Sequence, residues 1–335
     1  MPTASPDQLV PIASMELNAR FAGPFCIANA QVGKTRSDKP YLRCLLSDAS
    51  AKVPGRMWGA DEAVIKRLPA DGFVWATGET QPYQGELQLI IHSIDPYQPS
   101  AEELRHLIPA SARPADEMFA ELKTILTSLE HPAAKALAEA YLADDMLMER
   151  FKQAPAAMAM HHAYLSGLLE HTLSLLNAAE KLLPLYPKLN RDITVLGLFL
   201  HDLGKTHELT WDGPFDYSDR GLLVGHIVDG AIMLHDTAQR VMRERGIRFP
   251  QGFITVLEHI ILSHHGVPEF GAAKHPATPE ALFVSMLDNL DARMAMVIDA
   301  ARPERAGAQA DLGGNFTERV WALNNTRIYK PDPLA

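Results

Sequence analysis

The sequence predicts a multidomain β + α protein in which a small β-barrel precedes an all-helical bundle. Two observations carry this prediction. Between residues 21 and 95, turn residues separate five short runs that are rich in β-branched and aromatic residues. From about residue 117 to 300, Ala, Leu and Met recur at helical spacing with almost no strand signal. With 335 residues, 47% of them hydrophobic, the chain can form two domains with sizeable cores.

The N-terminal runs are predicted to be the strands of an OB-fold barrel. They read GPFCIANAQV, YLRCLLSD, AKVPGRMWG, GFVWATGET and ELQLIIHSI, with a helical segment, DEAVIKRL, between the third and the fourth. Apolar and polar residues partly alternate in RCLLSD and ELQLIIHSI, as half-buried strands require. Strands of this number and length fit a small OB-fold, although an unrelated five-stranded barrel or sandwich would show the same periodicity.

Composition also predicts the boundaries. We expect an N-terminal tail over 1–14, the OB-fold over 15–98, a Pro-containing linker over 99–115, the helical domain over 116–302 and a C-terminal extension over 303–335. The spacing predicts helices over 116–130, 133–142, 144–153, 160–183, 191–203, 221–244, 250–264 and 278–300.

Charge and cysteine content exclude several classes of protein. The net charge of −10 argues weakly against a protein that coats nucleic acid nonspecifically. Residues 16–98 carry nine basic and nine acidic residues, so the acidic surplus lies elsewhere, on a solvated surface or around a metal. The two cysteines, Cys26 and Cys44, make a disulfide framework or a thiolate zinc site improbable. We see no signal peptide and no membrane-spanning apolar run, and therefore expect a cytoplasmic protein without a membrane partner.

Histidines and aspartates interrupt the apolar helices in a fixed order. They are His171, His201-Asp202, His226, His264-His265, Asp288 and Asp291. One histidine on an apolar helix is usually a satisfied core or surface residue. So many together would each need a separate hydrogen-bond partner if buried, whereas one or two shared cations would satisfy them all. Imidazole and carboxylate ligands suit Mn, Fe, Zn, Co or Ni.

The local spacing agrees with a cation site. His201 and Asp202 close a predicted helix, whose C-terminal end favours positive charge, and Gly204 is placed like a C-cap. Asp288 and Asp291 are three residues apart and share one helix face.

These residues resemble a known group. His171, His201-Asp202 and Asp288 stand in the order of the HD-domain metal-dependent phosphohydrolases, whose pattern is H…HD…D on a helical bundle. Within that superfamily, APAAMAMHHAYLSGLLEHTLSLL, FLHDLGK and LSHHG resemble the YhaM-type 3′→5′ exoribonucleases. That family also carries an N-terminal OB-fold, to which KPYLRCLLSDAS followed by GRMW is similar. The resemblance covers roughly residues 20–300.

The resemblance implies a hydrolase with two divalent metal ions. Mn²⁺ is the first expectation, with Fe²⁺, Mg²⁺, Co²⁺ and Zn²⁺ as alternatives. The implied ligands of one ion are His171, His201, Asp202 and Asp288. Asp202 would bridge to a second ion, held also by His226 and by His264, His265 or both. Two such ions can activate a water and neutralise the leaving oxygen of a phosphodiester.

Three further side chains are catalytic candidates. Lys205 either donates to a phosphate oxygen or is a surface lysine near a helix end. His162 either reaches the substrate phosphate or caps the helix entry. Asp291 either accepts a proton or orients a ligand histidine.

The barrel would supply affinity for a single strand. OB-folds stack bases on aromatic side chains and follow the backbone with cations. The candidates are Lys34, Arg36, Tyr41, Arg43, Arg56, Trp58 and Tyr83. Several of them, Trp58 in particular, could equally belong to the core.

The implied function is metal-dependent 3′→5′ hydrolysis of single-stranded RNA, or also DNA, to nucleoside 5′-monophosphates. One alternative is an HD-type nucleotide or cyclic-dinucleotide phosphohydrolase, with the barrel used for assembly. Another is a nucleic-acid-binding regulatory protein with an HD scaffold, against which the intact ligand set speaks. RNA is preferred over DNA as partner, and a homo-oligomeric state is left open. The tail NFTERVWALNNTRIYK is either a C-terminal helix packed by Trp321 or a guide for the 3′ end.

Overall fold

The computed structural model describes residues 9–35, 37–60, 62–69, 72–83, 86–158, 162–211, 215–301, 314–332 and 334. These residues fall into two compact units. The barrel unit holds the described residues up to Ala110 together with those from Asp299 onward. The helical unit is formed by Ser111–Trp211 and Phe215–Ile298. No helix in the described ranges is both long and apolar enough to cross a membrane.

The described part of the barrel unit contains a closed five-stranded barrel, which confirms the predicted fold class. Its strands are β1 (Arg20–Lys34), β2 (Pro40–Ser47), β3 (Lys52–Trp58), β4 (Gly72–Tyr83) and β5 (Glu86–Pro96), with α1 (Glu62–Ile65) between β3 and β4. The strand order is β1-β2-β3-β5-β4. The β3–β5 pair is parallel and the other pairs are antiparallel.

Alternate side chains of these strands fill the barrel interior. Ile27, Leu42, Leu46, Val74 and Leu89 are all buried there. Strand β1 is long enough to pair with both β2 and β4, and its register with β2 shifts between Ala28 and Gln31. Asn29 within that shift has φ 55°, a left-handed conformation that asparagine tolerates. The bulge therefore bends β1 so that one strand closes the barrel.

The segment predicted as a linker, 99–115, contains a helix of the barrel unit. Helix α2 (Ala101–Leu107) begins with a capping box between Ser100 and Glu103. The Cys26 thiol lies 3.6 Å from the Leu107 carbonyl oxygen, and the amide of Ala49 donates to the His106 carbonyl at 2.9 Å. These contacts attach α2 to the barrel.

The helical unit is built around one buried helix. Its helices are α3 (Ala115–Thr127), α4 (Pro132–Leu142), α5 (Asp145–Gln153), α6 (Gly167–Leu182), α7 (Arg191–Leu200), α8 (Lys205–Glu208), α9 (Asp219–Leu223), α10 (His226–Arg245), α11 (Phe253–Ser263) and α12 (Pro279–Ala301). Strands β6 (Leu209–Thr210) and β7 (Asp216–Tyr217) pair in antiparallel fashion and form a two-stranded ribbon. Thr194–Leu200 of α7 are buried without a break, which explains the apolar run at this place in the sequence.

Two of the predicted helices are wrong in extent. The helix predicted over 160–183 begins only at Gly167, because His162 and Ser166 have φ values of 51° and 64° and cannot continue a right-handed helix. The helix predicted over 221–244 is two helices, α9 and α10. They are separated at Gly225, whose φ of 74° is a conformation that favours glycine.

The C-terminal residues form a hairpin rather than the helix that was one of the two expectations. Strand β8 (Phe316–Val320) pairs with β9 (Thr326–Tyr329) in antiparallel fashion. Asn324 and Asn325 have φ values of 57° and 56°, which turn the chain back before β9. The Trp321 side chain, on which the packing expectation rested, lies outside the described residues.

Candidate functional site

Five of the seven predicted metal ligands line a cleft of the helical unit with a volume of about 810 Å³, namely Asp202, His226, His264, His265 and Asp288. The other two, His171 and His201, lie beside Asp202 and Asp288. Helix α6 supplies His171, and α12 supplies Asp288. His201 and Asp202 follow the last residue of α7, and His264 and His265 follow the last residue of α11. His226 is the first residue of α10. Residues more than 100 positions apart in the sequence are thus within a few ångströms of one another.

Asp202 lies between two sets of imidazole rings. Its Oδ1 atom is 3.5 Å from Nε2 of His226 and 3.5 Å from Nε2 of His264. Its Oδ2 atom is 3.4 Å from Nε2 of His201 and 3.9 Å from Nε2 of His171. Each carboxylate oxygen therefore faces a different pair of histidines.

The remaining predicted ligands extend these two sets. Asp288 Oδ1 lies 3.3 Å from Nε2 of His171 and 3.9 Å from Nε2 of His201. His265 offers a ring nitrogen within 4.8 Å of ligand atoms of Asp202, His226 and His264. We call His171, His201, Asp202 and Asp288 the first ligand group. We call Asp202, His226, His264 and His265 the second ligand group.

Backbone carbonyls orient three of the rings. The Nδ1 atom of His201 lies 2.7 Å from the Leu198 carbonyl oxygen. His264 and His265 make the same contact, at 2.7 Å, with the carbonyls of Ile261 and Phe270. A carbonyl can only accept, so Nδ1 carries the hydrogen and the neutral ring presents the lone pair of Nε2. This is the tautomer that a metal ligand requires.

Carboxylates orient the other two rings. Asp291 Oδ2 lies 2.8 Å from Nδ1 of His171. Glu208 Oε1 lies 2.9 Å from Nδ1 of His226 and accepts the backbone N–H of the same residue at 3.0 Å. Such a carboxylate behind a ligand histidine fixes the ring and makes its other nitrogen a stronger donor.

The inward atoms of the cleft fit a divalent cation. Among the described residues, the Nε2 atoms of His201, His226 and His264 and the Oδ1 atom of Asp202 are buried without a hydrogen-bond partner. A buried polar atom left in this state costs about 1–3 kcal/mol. Imidazole nitrogens and carboxylate oxygens that converge in this way are the donor set of divalent transition metals.

The charge states of Asp202, His264 and His265 near neutral pH favour metal binding. Burial lowers the pKa of His265 to about 4, with a smaller contribution from His264. Burial also lowers the pKa of His264, so both rings are neutral. Burial opposes ionisation of Asp202, but the Lys205 ammonium and His201 outweigh it and hold the pKa of this carboxyl well below its usual range. Metal ligands must be deprotonated in this way.

Lys205 is not a surface lysine. Its side chain is 13% exposed, and Nζ lies 2.7 Å from Asp202 Oδ2. It also lines the cleft, where it could reach a phosphate oxygen. The proposed contact with phosphate stays a prediction.

His162 and Asp291 lie on the far side of His171 from the ligand atoms. The Nε2 atom of His162 lies 3.1 Å from Asp291 Oδ2, and its Nδ1 atom lies 2.8 Å from the Tyr164 hydroxyl. Ser174 donates to the other oxygen of Asp291 at 2.7 Å. These contacts support the orienting role for Asp291 and place His162 beside it.

Sequence reasoning missed the residues that hold the loop after Asp202. Glu208 is one, and Arg150 of α5 is another, since its Nε and Nη2 atoms donate to the Thr206 carbonyl at 2.9 and 2.7 Å. Gly204 has φ −60°, so it is no left-handed cap. A Cβ atom there would lie 2.2 Å from the His226 carbonyl oxygen. The glycine thus allows the loop to approach α10.

The barrel unit carries a separate cluster of candidate residues. Tyr41 and Trp58 are opposite each other on β2 and β3, with ring centroids 5.3 Å apart. The Arg56 guanidinium lies 4.8 Å from the ring centroid of Tyr83. It lies 5.8 Å from that of Tyr41 and 6.0 Å from that of Trp58. Trp58 is 52% exposed and Tyr83 46%, so neither belongs to the core. We call these four residues the aromatic cluster.

The other barrel candidates are not part of this cluster. Arg43 donates to the Gln31 side chain of β1 at 2.5 Å. Lys34 forms an exposed ion pair with Asp38 at 2.9 Å, which offsets its charge. Arg36 lies outside the described residues.

Known proteins resemble this chain in sequence. Residues 168–293 match the HD domain family. The 3′-5′ exoribonuclease YhaM of Bacillus pumilus is 32% identical over 91% of this chain and 93% of its own. That of Oceanobacillus iheyensis is 30% identical over 96% of this chain and 97% of its own. The Bacillus subtilis protein of the same name is 31% identical over 91% and 93%. A solved structure of PriB from Ralstonia solanacearum covers 25% of this chain and 100% of its own at 14% identity, and its TM-score of 0.22 is too low to carry an argument.

Proposed function

This chain belongs to the family of the YhaM 3′-5′ exoribonucleases, and we propose that it hydrolyses single-stranded RNA from the 3′ end, with divalent metal, to nucleoside 5′-monophosphates. The full-length match to relatives of that name supports the substrate and the polarity. The HD domain and the converging histidines and aspartates support metal-dependent hydrolysis.

Two ions are proposed, with Mn²⁺ as the first candidate. One observation carries this count: the two oxygens of Asp202 face separate pairs of histidines. One ion would be held by the first ligand group and one by the second, with Asp202 shared. When bound, such a pair supplies a water activated for attack and neutralises the charge of the leaving oxygen.

Side chains of the protein itself would hold the ligand rings and the phosphate in position. Asp291 and Glu208 keep the rings of His171 and His226 in position from behind. Lys205 is proposed to donate from Nζ to a nonbridging phosphate oxygen, because it lines the cleft next to Asp202. A preoriented donor of this kind stabilises the charge that develops on the phosphate.

The aromatic cluster is proposed to hold the strand. Stacked bases suit the exposed rings of Trp58 and Tyr83, and the guanidinium of Arg56 suits the phosphate backbone. This recognition is independent of sequence, since every base presents an aromatic face.

The function is tested with RNA and DNA of one sequence. Each strand is labelled at its 5′ end or its 3′ end and incubated with Mn²⁺, Mg²⁺, Fe²⁺, Co²⁺ or Zn²⁺. We expect a ladder of shortened products from 5′-labelled RNA and immediate release of a mononucleotide from 3′-labelled RNA. An Asp202→Asn preparation controls for contaminating nucleases. Internal cleavage, or no hydrolysis with any ion, would exclude the proposed activity.

A further inference from the structure

Large apolar side chains line the same cleft as the metal ligands and remain open to water. Phe270 is 66% exposed, Met286 60% and Leu282 49%. A phosphate group or a metal ion gains nothing from contact with such surfaces, because apolar area is stabilised only when another apolar surface covers it. Exposed apolar side chains beside a polar site indicate a ligand with an apolar part.

These side chains are attached to the elements that carry the ligands. Leu282 and Met286 are one turn apart on α12, and Asp288 follows Met286 by two residues. Phe270 ends a short 3₁₀ helix, and its carbonyl oxygen accepts the Nδ1–H of His265 at 2.7 Å. The apolar surface and the ligand groups therefore keep a constant separation.

We infer that Phe270, Leu282 and Met286 form a subsite for the nucleobase of the nucleotide being removed. A nucleotide combines an anionic phosphate with a base whose faces are apolar, and this cleft combines the two matching surfaces. The three side chains have no hydrogen-bond donor, and their only acceptor is the weak thioether sulfur of Met286, so the subsite accepts every base. The cleft volume of about 810 Å³ is within the range of small-molecule sites. This inference rests on the proposed function and identifies the part of the substrate that the cleft recognises.

The same helix provides a matched control. Leu290 and Met294 continue the apolar stripe of α12 at four-residue spacing and are also exposed, but neither lines the cleft. Of these four side chains on α12, a nucleobase in the cleft would cover only Leu282 and Met286. A second copy of this chain packed on α12 would cover all four side chains.

The test measures binding of adenosine 5′-monophosphate and of ribose 5-phosphate, which lacks a base, to the Mn²⁺-loaded full chain by calorimetry. We expect the wild-type chain to bind the nucleotide at least about tenfold more tightly. Leu282→Ala with Met286→Ala leaves only Phe270 of the subsite and should lose most of this preference, whereas Leu290→Ala with Met294→Ala should match the wild type. Thermal midpoints check that both variants are folded.

Three results would overturn the inference. They are equal binding of the two ligands by the wild-type chain, no binding of either ligand, and equal losses in the two double variants. Equal losses, together with a smaller mass in solution, would indicate an interface between copies of the chain instead.

A second measurement separates this inference from the proposed function. RNA that ends in an abasic nucleotide is compared with intact RNA as substrate. We expect the wild type to show a KM about tenfold higher for the abasic end and the Leu282→Ala, Met286→Ala variant to lose most of this difference in KM. If the wild type hydrolyses abasic and intact RNA with equal KM, the exoribonuclease proposal stands and the nucleobase subsite is disproved. If the nucleotide binds through the cleft side chains but RNA is not hydrolysed, the nucleobase subsite stands and the exoribonuclease proposal is disproved.

Discussion

Asp291 Oδ2 lies 2.8 Å from Nδ1 of His171, whose other ring nitrogen lies 3.3 Å from Asp288. The carboxylate thus holds the ring from behind while Nε2 faces the cleft. Burial by itself would lower the pKa of His171, but the contacts with Asp288 and Asp291 outweigh it and raise that pKa to about 9. An acceptor behind a ligand histidine is a positioning group, and several predictions about the centre depend on it.

Asp291→Asn tests this positioning role. The amide keeps an oxygen acceptor of similar shape but removes the negative charge, so we expect Mn²⁺ affinity to fall about 10- to 100-fold. Calorimetric titration measures the change. Asp236→Asn, at an exposed position on α10, should keep wild-type affinity. An unchanged Mn²⁺ affinity in Asp291→Asn would disprove the positioning role of Asp291.

His201→Ala and His265→Ala should each reduce the metal content from two ions to one. His201 belongs only to the first ligand group and His265 only to the second. Elemental analysis after dialysis against Mn²⁺ measures the stoichiometry, and anomalous scattering shows which ion remains. A wild-type content of one ion would disprove the two-ion proposal.

Asp202→Asn should abolish hydrolysis while leaving a folded chain. The substitution removes the negative charge and replaces one oxygen by an amide nitrogen, which cannot act as a ligand. Residue 202 can then no longer serve both the first and the second ligand group. We expect kcat to fall by at least about a hundredfold. The thermal midpoint of the metal-free protein controls for folding. Activity above a tenth of wild type would contradict the bridging role.

Arg56→Ala should weaken binding of long RNA. Its guanidinium is the cation of the aromatic cluster, so the salt slope of binding should fall by about one and KM should rise with little change in kcat. Arg67→Ala is the matched control, since Arg67 is also exposed on the barrel unit but is paired with Asp95 at 3.6 Å. Fluorescence anisotropy over a range of salt concentrations measures the slopes. Equal slopes in the two variants would argue against the cluster.

Cys26 and Cys44 should resist alkylation in the folded protein. Burial raises the pKa of each thiol to about 12, and Asp48 adds to the shift at Cys26. Only the thiolate reacts, so the reactive fraction at pH 8 is on the order of 10⁻⁴ and rises as pH approaches 12. Mass spectrometry after iodoacetamide treatment, with and without guanidinium, measures the protection. Rapid labelling without denaturant would show that the barrel opens.

The candidate metal ligands stand out in the sequence because their surroundings are unusual. His171 lies within a buried apolar helix, and His201 and His264 directly follow two others, where a buried polar group needs a partner. Glu208 and Arg150 could not be predicted in this way. Each lies among other polar residues in the sequence, and only the folded chain brings them to His226 and Thr206.

The sequence by itself determined the barrel, the helical unit and the residue types of the candidate metal site, because periodicity and burial preference act over a few neighbouring positions. Only the tertiary structure decided where the helices break, that His162 lies beside Asp291, and which oxygen of Asp202 faces which histidines. The candidate ligands lie on α6, α10 and α12 or directly after α7 and α11, up to 117 residues apart from His171 to Asp288. Their distances depend on how those helices pack, and no local pattern in the sequence encodes that packing.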